Sequence, residues 1–344
     1  MPNSSANTNN AIPQVKSRQQ SIAQIKQEEL LNAQTAYYIK PEEMKLSDGQ
    51  KFKKFLWDPK ENKLFGRNGA SWSKIGLFYL IFYGMLAALV AICMWVFFQT
   101  LDPRIPKWQL DRSIIGTNPG LGFRPMSMEN AESTLIWIQG ANKTNYEKWK
   151  SSLNSFLDKY YTPGMTEKGT ASVRKCSYTQ PPQKGHVCDV DVKVWKECNR
   201  DQHYNYHKNS PCIFLKLNKI YGWIPEYYNT TNGLPQDMPP ELKKRIVDAK
   251  PEERNTVWVS CEGENPADVE AVGPIQYFPD IQGFPGYYYP YENAEGYLSP
   301  LVAVHFLRPK SGIVINIECK AWARNIKHSR VDRIGSVHFE LLID

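Results

Sequence analysis

Along most of the chain polar and apolar positions are interleaved, but over residues 75–98 the interleaving stops: 24 consecutive positions carry no charged side chain. A helix of that length, at ~1.5 Å rise per residue, reaches roughly 36 Å, enough to cross a hydrocarbon core of about 30 Å with some tilt. Because 74 mostly polar residues precede the run and Gln99-Thr100-Leu101-Asp102 follows it, the pattern predicts a single uncleaved signal anchor rather than a removable signal peptide.

Two other periodicities stand out beyond the span. Tyr146, Trp149, Leu153, Phe156, Leu157 and Tyr160 recur at helical spacing and stop at Pro163-Gly164, which predicts one amphipathic helix packed on a sheet. Period-two alternation marks strands. Ile313, Ile315, Ile317, Cys319 and Ala321 alternate with Val314, Asn316, Glu318 and Lys320, and Val337, Phe339, Leu341 and Ile343 alternate with His338, Glu340 and Leu342. Residues 133–138, 212–217, 257–261 and 301–306 read as further strands. Short strands separated by Pro/Gly loops favour an antiparallel sandwich over a doubly wound sheet.

These elements divide the chain into an arm over 1–74, a membrane helix over 75–98, a stalk over 99–132 and a β-rich domain over 133–344. Pro103, Pro106 and the turn Asn118-Pro-Gly-Leu-Gly122 punctuate the stalk. Residues 1–50 are rich in Asn, Gln, Ser and Lys and too poor in large apolar groups to offset the entropy of ordering, so most of this stretch is expected to be disordered. Its one helical signal is 21–34, where Ser21 and Gln24 resemble a capping box and Ile22, Ile25 and Leu30 recur loosely on one face.

Charge assigns sides. The 24 residues before the span hold Lys51, Lys53, Lys54, Lys60, Lys63, Arg67 and Lys74, against Arg104, Lys107 and Arg112 in the 24 after it, which puts the N-terminus in the cytosol and the C-terminal domain on the far side of the membrane, a type II arrangement. Cysteine usage agrees. Cys93 lies in the span, and Cys176, Cys188, Cys198, Cys212, Cys261 and Cys319 all lie beyond it, an even set that suggests three disulfides in an oxidising compartment. Six cysteines admit 15 pairings. Nearest-neighbour pairing would close small loops and staple the Cys261 strand to the Cys319 strand. The sequons at Asn142 and Asn229 fall on the same side, as expected of glycosylated positions. The net charge of +7 comes mostly from the arm, where 12 Lys/Arg face 7 Asp/Glu. That basic arm fits anionic lipid headgroups, and no pattern of basic residues interleaved with stacking aromatics points to nucleic acid.

Catalytic chemistry is hard to find. Asp189-Val-Asp191 mimics the acidic pair with which glycosyltransferases hold a metal, but it sits in a cysteine-dense loop without alternating parallel strands and helices around it. His203-Tyr-Asn-Tyr-His207 could place two imidazoles at i, i+4. It lacks the glutamate of a zincin, and its Asn, Asp, Pro and Cys neighbours favour a solvated loop. There is no Gly-x-Ser-x-Gly elbow and no phosphate-cradling glycine loop. The membrane helix is more informative: Tyr79, Phe82, Tyr83 and Leu86 fall within one arc of about 100°, and Gly84, Ala88 and Ala91 form a small-residue arc roughly 160° away. Phenolic hydroxyls at that depth want hydrogen-bond partners, which favours packing against a second membrane protein.

The residues from 55 to 344 resemble the β subunit of the sodium/potassium-transporting ATPase and of its proton/potassium relative. The matches run in order: Phe55-Leu-Trp-Asp58, Phe65-Gly-Arg-Asn68 and Ser71-Trp72 before the span, Phe78-Tyr-Leu-Ile-Phe-Tyr-Gly84 within it, and Pro119-Gly-Leu121, the run from Pro211 to Lys219, Gly222-Trp-Ile-Pro225, Tyr287-Tyr-Tyr-Pro-Tyr291, Pro300-Leu-Val-Ala-Val304 and Ile317-Glu-Cys-Lys-Ala321 beyond it. Cys188-Asp-Val190 departs from the Cys-Ser-Gly of many members. The resemblance implies an immunoglobulin-like sandwich with a helix on one face, sequential disulfides, no activity and no cofactor. It further implies that the chain packs on a catalytic α subunit through membrane helices and an extracellular loop, lets the nascent pump leave the endoplasmic reticulum, and tunes potassium affinity. Carried over by position, Tyr79, Phe82, Tyr83 and Gly84 are membrane contacts, and Tyr287, Tyr288, Tyr289 and Tyr291, with the strand 301–306, are extracellular ones. A small single-pass regulatory subunit is a further expected partner. The alternatives are a proton/potassium pump subunit and a cell-adhesion glycoprotein.

Overall fold

The computed structural model describes residues 47–59, 61–127, 133–163, 165–166, 169–170, 172–183, 185–230, 232–329, 331–332 and 334–344. The helical signal at 21–34 and nearly all of the stretch expected to be disordered lie outside the described residues. The chain divides into two units at Gln99–Thr100.

In the first unit, helix α1 (Asp48–Leu56) opens with the Ser47 N–H donating to Gln50 Oε1 at 3.3 Å. Three two-residue strands follow, Trp57–Asp58, Lys63–Leu64 and Arg67–Asn68, paired as an antiparallel meander. The second turn passes through Gly66 at φ +73°, a left-handed conformation that glycine adopts without steric cost. Asn68 then caps α2 (Gly69–Gln99), its Oδ1 accepting the Ser71 N–H at 3.0 Å, and the Trp72 indole donates to the Leu64 carbonyl at 2.8 Å. The described residues between Phe55 and Trp72 thus form a small cap at the N-terminal end of α2. Apolar on every face over most of its length and with none of its side chains buried, α2 is the one helix among the described residues long and apolar enough to cross a membrane, as a single-pass span requires.

The second unit is a two-sheet sandwich. Its principal strands are β1 (Leu121–Arg124), β2 (Leu135–Ile138), β3 (Cys212–Leu217), β4 (Thr256–Gly263), β5 (Ile275–Phe278), β6 (Gly283–Pro285), β7 (Leu301–Phe306), β8 (Val314–Trp322) and β9 (Ser336–Ile343). One sheet has the order β5-β7-β3-β1 and the other β6-β4-β8-β9-β2. All neighbours run antiparallel except β9 and β2, where Leu341 lies level with Ile136 in a parallel pair. Phe339 of β9 bridges the sheets, its ring 5.0 Å from Phe123 and 6.2 Å from Phe306.

Two outer layers complete the domain. Helix α3 (Lys143–Tyr161) buries Leu153, Leu157 and Tyr160, and its N-cap Asn142 accepts the Thr144 N–H. Trp195 and Tyr204, on 3-10 turns packed beside α3, cover Phe214 of β3, with ring separations of 6.0 and 5.7 Å. On the other side, α4 (Pro240–Asp248) brings Leu242 and Ile246 onto Trp258 of β4 and Trp322 of β8, a second small core. Helix α5 (Pro266–Val272) lies against β4 at Gly263.

The disulfides are sequential: Cys176–Cys188, Cys198–Cys212 and Cys261–Cys319. The third joins residues directly opposite one another in β4 and β8, so it staples neighbours within one sheet.

At Gly263 an added Cβ would lie 2.3 Å from the Asp268 carbonyl carbon and the Val269 nitrogen, both backbone atoms of α5. Gly263→Ala is therefore expected to push α5 off β4 and cost about 1–3 kcal/mol. Thermal unfolding of the full-length chain measures it; an unchanged midpoint would mean that α5 shifts freely.

Candidate partner-binding surfaces

Each unit carries one aromatic surface. On α2 the rings of Tyr79 and Tyr83 stack at 5.8 Å, those of Phe78 and Phe82 stack at 6.1 Å, and edge-to-face contacts of 5.4 Å join Phe78 to Tyr79 and Phe82 to Tyr83. The i, i+4 spacing of a helix produces the two stacks and the i, i+1 steps tie them together. Four rings that brace one another make a rigid panel, and all four side chains are exposed. A Cβ built on Gly84 meets nothing within 4 Å, so that position offers a smooth approach to a neighbouring backbone.

In the ectodomain the aromatic segment begins with a 3-10 turn at Gly286–Tyr288. Its glycine is forced by close approach: a Cβ at Gly286 would lie 2.5 Å from the Asn255 carbonyl oxygen and 2.6 Å from the Tyr227 hydroxyl. The four tyrosines then divide. Tyr288 is 8% exposed, and its hydroxyl donates to the Asp189 carbonyl at 2.6 Å, so this ring is spent on the core and is not available to a partner. Tyr289 packs edge-on to Trp223 at 5.6 Å and is largely covered. Tyr287, against Tyr178 at 5.2 Å, and Tyr291, against Tyr297 at 4.9 Å, are half-buried. Burial raises the phenol pKa of all four.

Tyr291 is also a junction. Its hydroxyl donates to Asn293 Oδ1 at 2.7 Å, Asn293 Nδ2 donates to the Arg104 carbonyl of the stalk at 3.1 Å, and the Tyr291 carbonyl accepts the Gly222 N–H at 2.8 Å. Above the rings, Lys219 Nζ lies 4.7 Å from the centroid of Tyr291 and 5.0 Å from that of Tyr297. Burial, reinforced by Lys216 and Lys159, pushes its pKa down to about 8. Lys219, Trp223 and Tyr297 belong to this surface, and spacing alone did not single them out. The available signal was a lysine two residues past an apolar strand, beside an aromatic-rich loop.

The other candidates are scattered. Asp191 caps a 3-10 turn through the Lys193 N–H, and burial followed by the neighbouring Asp191 raises the pKa of Asp189; the two make a turn rather than a metal pair. His203 and His207 stack edge to face at 5.4 Å inside a left-handed turn. Cys198 and Cys212 meet the buried His305, but the disulfide between them consumes both sulfurs as ligands. Asn142 and Asn229 are both exposed.

A family model described as "Sodium / potassium ATPase beta chain" matches residues 42–339. The chain is 60% identical to sodium/potassium-transporting ATPase subunit beta-2 of Drosophila melanogaster over 92% of its own length and 98% of the relative's. It is 45% identical to subunit beta-1 of the same organism over 86% and 93% of the two chains, and 30% identical to human subunit beta-2 over 86% and 94%.

The position of Lys219 has a pH signature. Its ammonium is disfavoured in the fold, so between about pH 8 and the ordinary lysine value the unfolded chain holds the extra proton and the contribution of this group to stability rises with pH. Measured from pH 7.5 to 9.5, the thermal midpoint of the wild type should gain on that of Lys219→Met. Parallel curves would show that the ammonium is fully solvated.

Proposed function

We propose a role that proceeds from one premise: the chain belongs to the sodium/potassium ATPase beta chain family. It acts as the non-catalytic β subunit of a sodium/potassium-transporting P-type ATPase. Its N-terminus lies in the cytosol and its disulfide-bonded, glycosylated domain lies outside the plasma membrane. The panel of Tyr79, Phe82 and Tyr83 packs on membrane helices of the α subunit, with Gly84 allowing close approach. In the ectodomain, Tyr287 and Tyr291 meet an extracellular loop of α. Through both contacts the chain lets α fold, leave the endoplasmic reticulum and reach the cell surface.

The observation that carries this reading is the braced ring panel, whose four side chains are exposed among the described residues. Lipid alone gives no reason to hold tyrosine hydroxyls within an apolar span, whereas a neighbouring helix can supply acceptors. An effect on potassium affinity follows if the contacts differ between the pump's conformations, since a subunit shifts an equilibrium only by binding its two states unequally.

Replacing both tyrosines, Tyr79→Ala with Tyr83→Ala, is expected to reduce co-purification of α in mild detergent several-fold while the ectodomain keeps its disulfides. Unchanged recovery would remove the panel from the interface.

A further inference from the structure

Beneath the ectodomain aromatic segment lies a cavity of about 10 Å³, lined among others by Lys219, Trp223, Tyr289, Tyr297 and Ser299. Three of these lining residues carry a buried polar atom that has no hydrogen-bond partner among the described residues: Trp223 Nε1, Tyr289 Oη and Ser299 Oγ. Trp223 and Ser299 are each 4% exposed. The indole can only donate, and the two hydroxyls can donate or accept. A single stranded polar group costs more than an ordinary hydrogen bond gains, and native interiors hold few of them, so three around one small space call for a shared ligand.

The size of the space selects that ligand. A buried water needs roughly 10–15 Å³ and two to four polar partners, and this cavity supplies both. We propose that one buried water molecule is bound here, accepting from Trp223 Nε1 and bridging the hydroxyls of Tyr289 and Ser299. The three groups come from three segments: the loop after β3, the aromatic segment, and the residues leading into β7. Ser299 is tied to α3 as well, because its carbonyl accepts the Tyr160 hydroxyl at 3.0 Å. The water is thus a pin that fixes the aromatic segment against the sandwich from beneath. This inference is independent of which protein docks on the outer side.

The sign of a stability change tests it. With the water in place, Tyr289→Phe and Ser299→Ala each break a satisfied network, so each should lower the thermal midpoint of the full-length protein, purified in its native assembly, by about 2–4 °C. The double variant should fall by less than the sum, because both remove a hydrogen bond to the same molecule. In a dry cavity the same substitutions delete stranded hydroxyls, and midpoints that rise would overturn the proposal. A halide is the other water-sized acceptor. Replacing chloride by gluconate at fixed ionic strength should leave the wild-type midpoint unchanged; a drop that Tyr289→Phe abolishes would assign the cavity to chloride instead. In an experimental density map of the intact assembly, a single peak within 2.7–3.2 Å of all three atoms is expected, and its absence would sink the idea even if a variant failed to fold.

Discussion

The ectodomain depends on a strand that must be covered on both faces. In Cys212–Leu217 only Lys216 reaches partial solvent exposure, so the strand cannot survive at the surface of a one-sided sheet. Ile213 and Leu215 are satisfied by the opposing sheet. Phe214 needs a second layer, which Trp195 and Tyr204 supply beside α3. Tyr204 stands in a left-handed turn, with φ between +50° and +59° over residues 203–205, a conformation that costs roughly 1–2 kcal/mol for each non-glycine residue. Cys198–Cys212, the Tyr204 hydroxyl on Asn154 Oδ1 at 2.9 Å and the Tyr206 hydroxyl on the Cys212 carbonyl at 3.1 Å hold that turn in place. Strain in the loop is therefore offset by burial of the ring it carries.

The sequence pattern exposed the centre of each sheet and missed three of the four edges. Strands β3, β4, β7, β8 and β9 are long, free of proline and paired on both sides, so their apolar positions repeat far enough to be read. Strands β1, β5 and β6 have a neighbour on one side only. Leu121-Gly-Phe-Arg124 carries a glycine, Ile275–Phe278 runs into Pro279, and Gly283–Pro285 ends on a proline, residues that a strand tolerates where no second ladder is needed. The parallel pairing of β2 was equally hidden, because direction leaves no trace in alternation. Helix α3 was legible to within a few residues, since six apolar positions mark one face.

The two aromatic surfaces were legible to different degrees for a physical reason. On a membrane helix, position along the sequence fixes angular position, so the ring panel follows from spacing alone. In an irregular segment it does not. Nothing in Tyr287-Tyr-Tyr-Pro-Tyr291 tells that the second ring turns into the core while the first and last keep open edges, or that Lys219 arrives above them from a distant strand end. Both surfaces are nevertheless built alike, from rings that brace one another before anything else touches them, so little side-chain freedom is left to lose on association.

The parallel strand has a consequence in time. Ile136 finds its ladder neighbour only at Leu341, with most of the domain intervening, and β9 in turn separates it from every other strand of that sheet. At a synthesis rate of roughly 5–20 residues per second, the segment waits about 10–40 s with an unpaired edge. Over that interval α3, with Trp149 on the Trp137 carbonyl, has no finished sheet to rest on, and the growing polypeptide keeps apolar surface exposed. Completion of that sheet is a late event that zips its first-made strand to its last, so a product that lacks the final strand leaves β2 without a ladder partner.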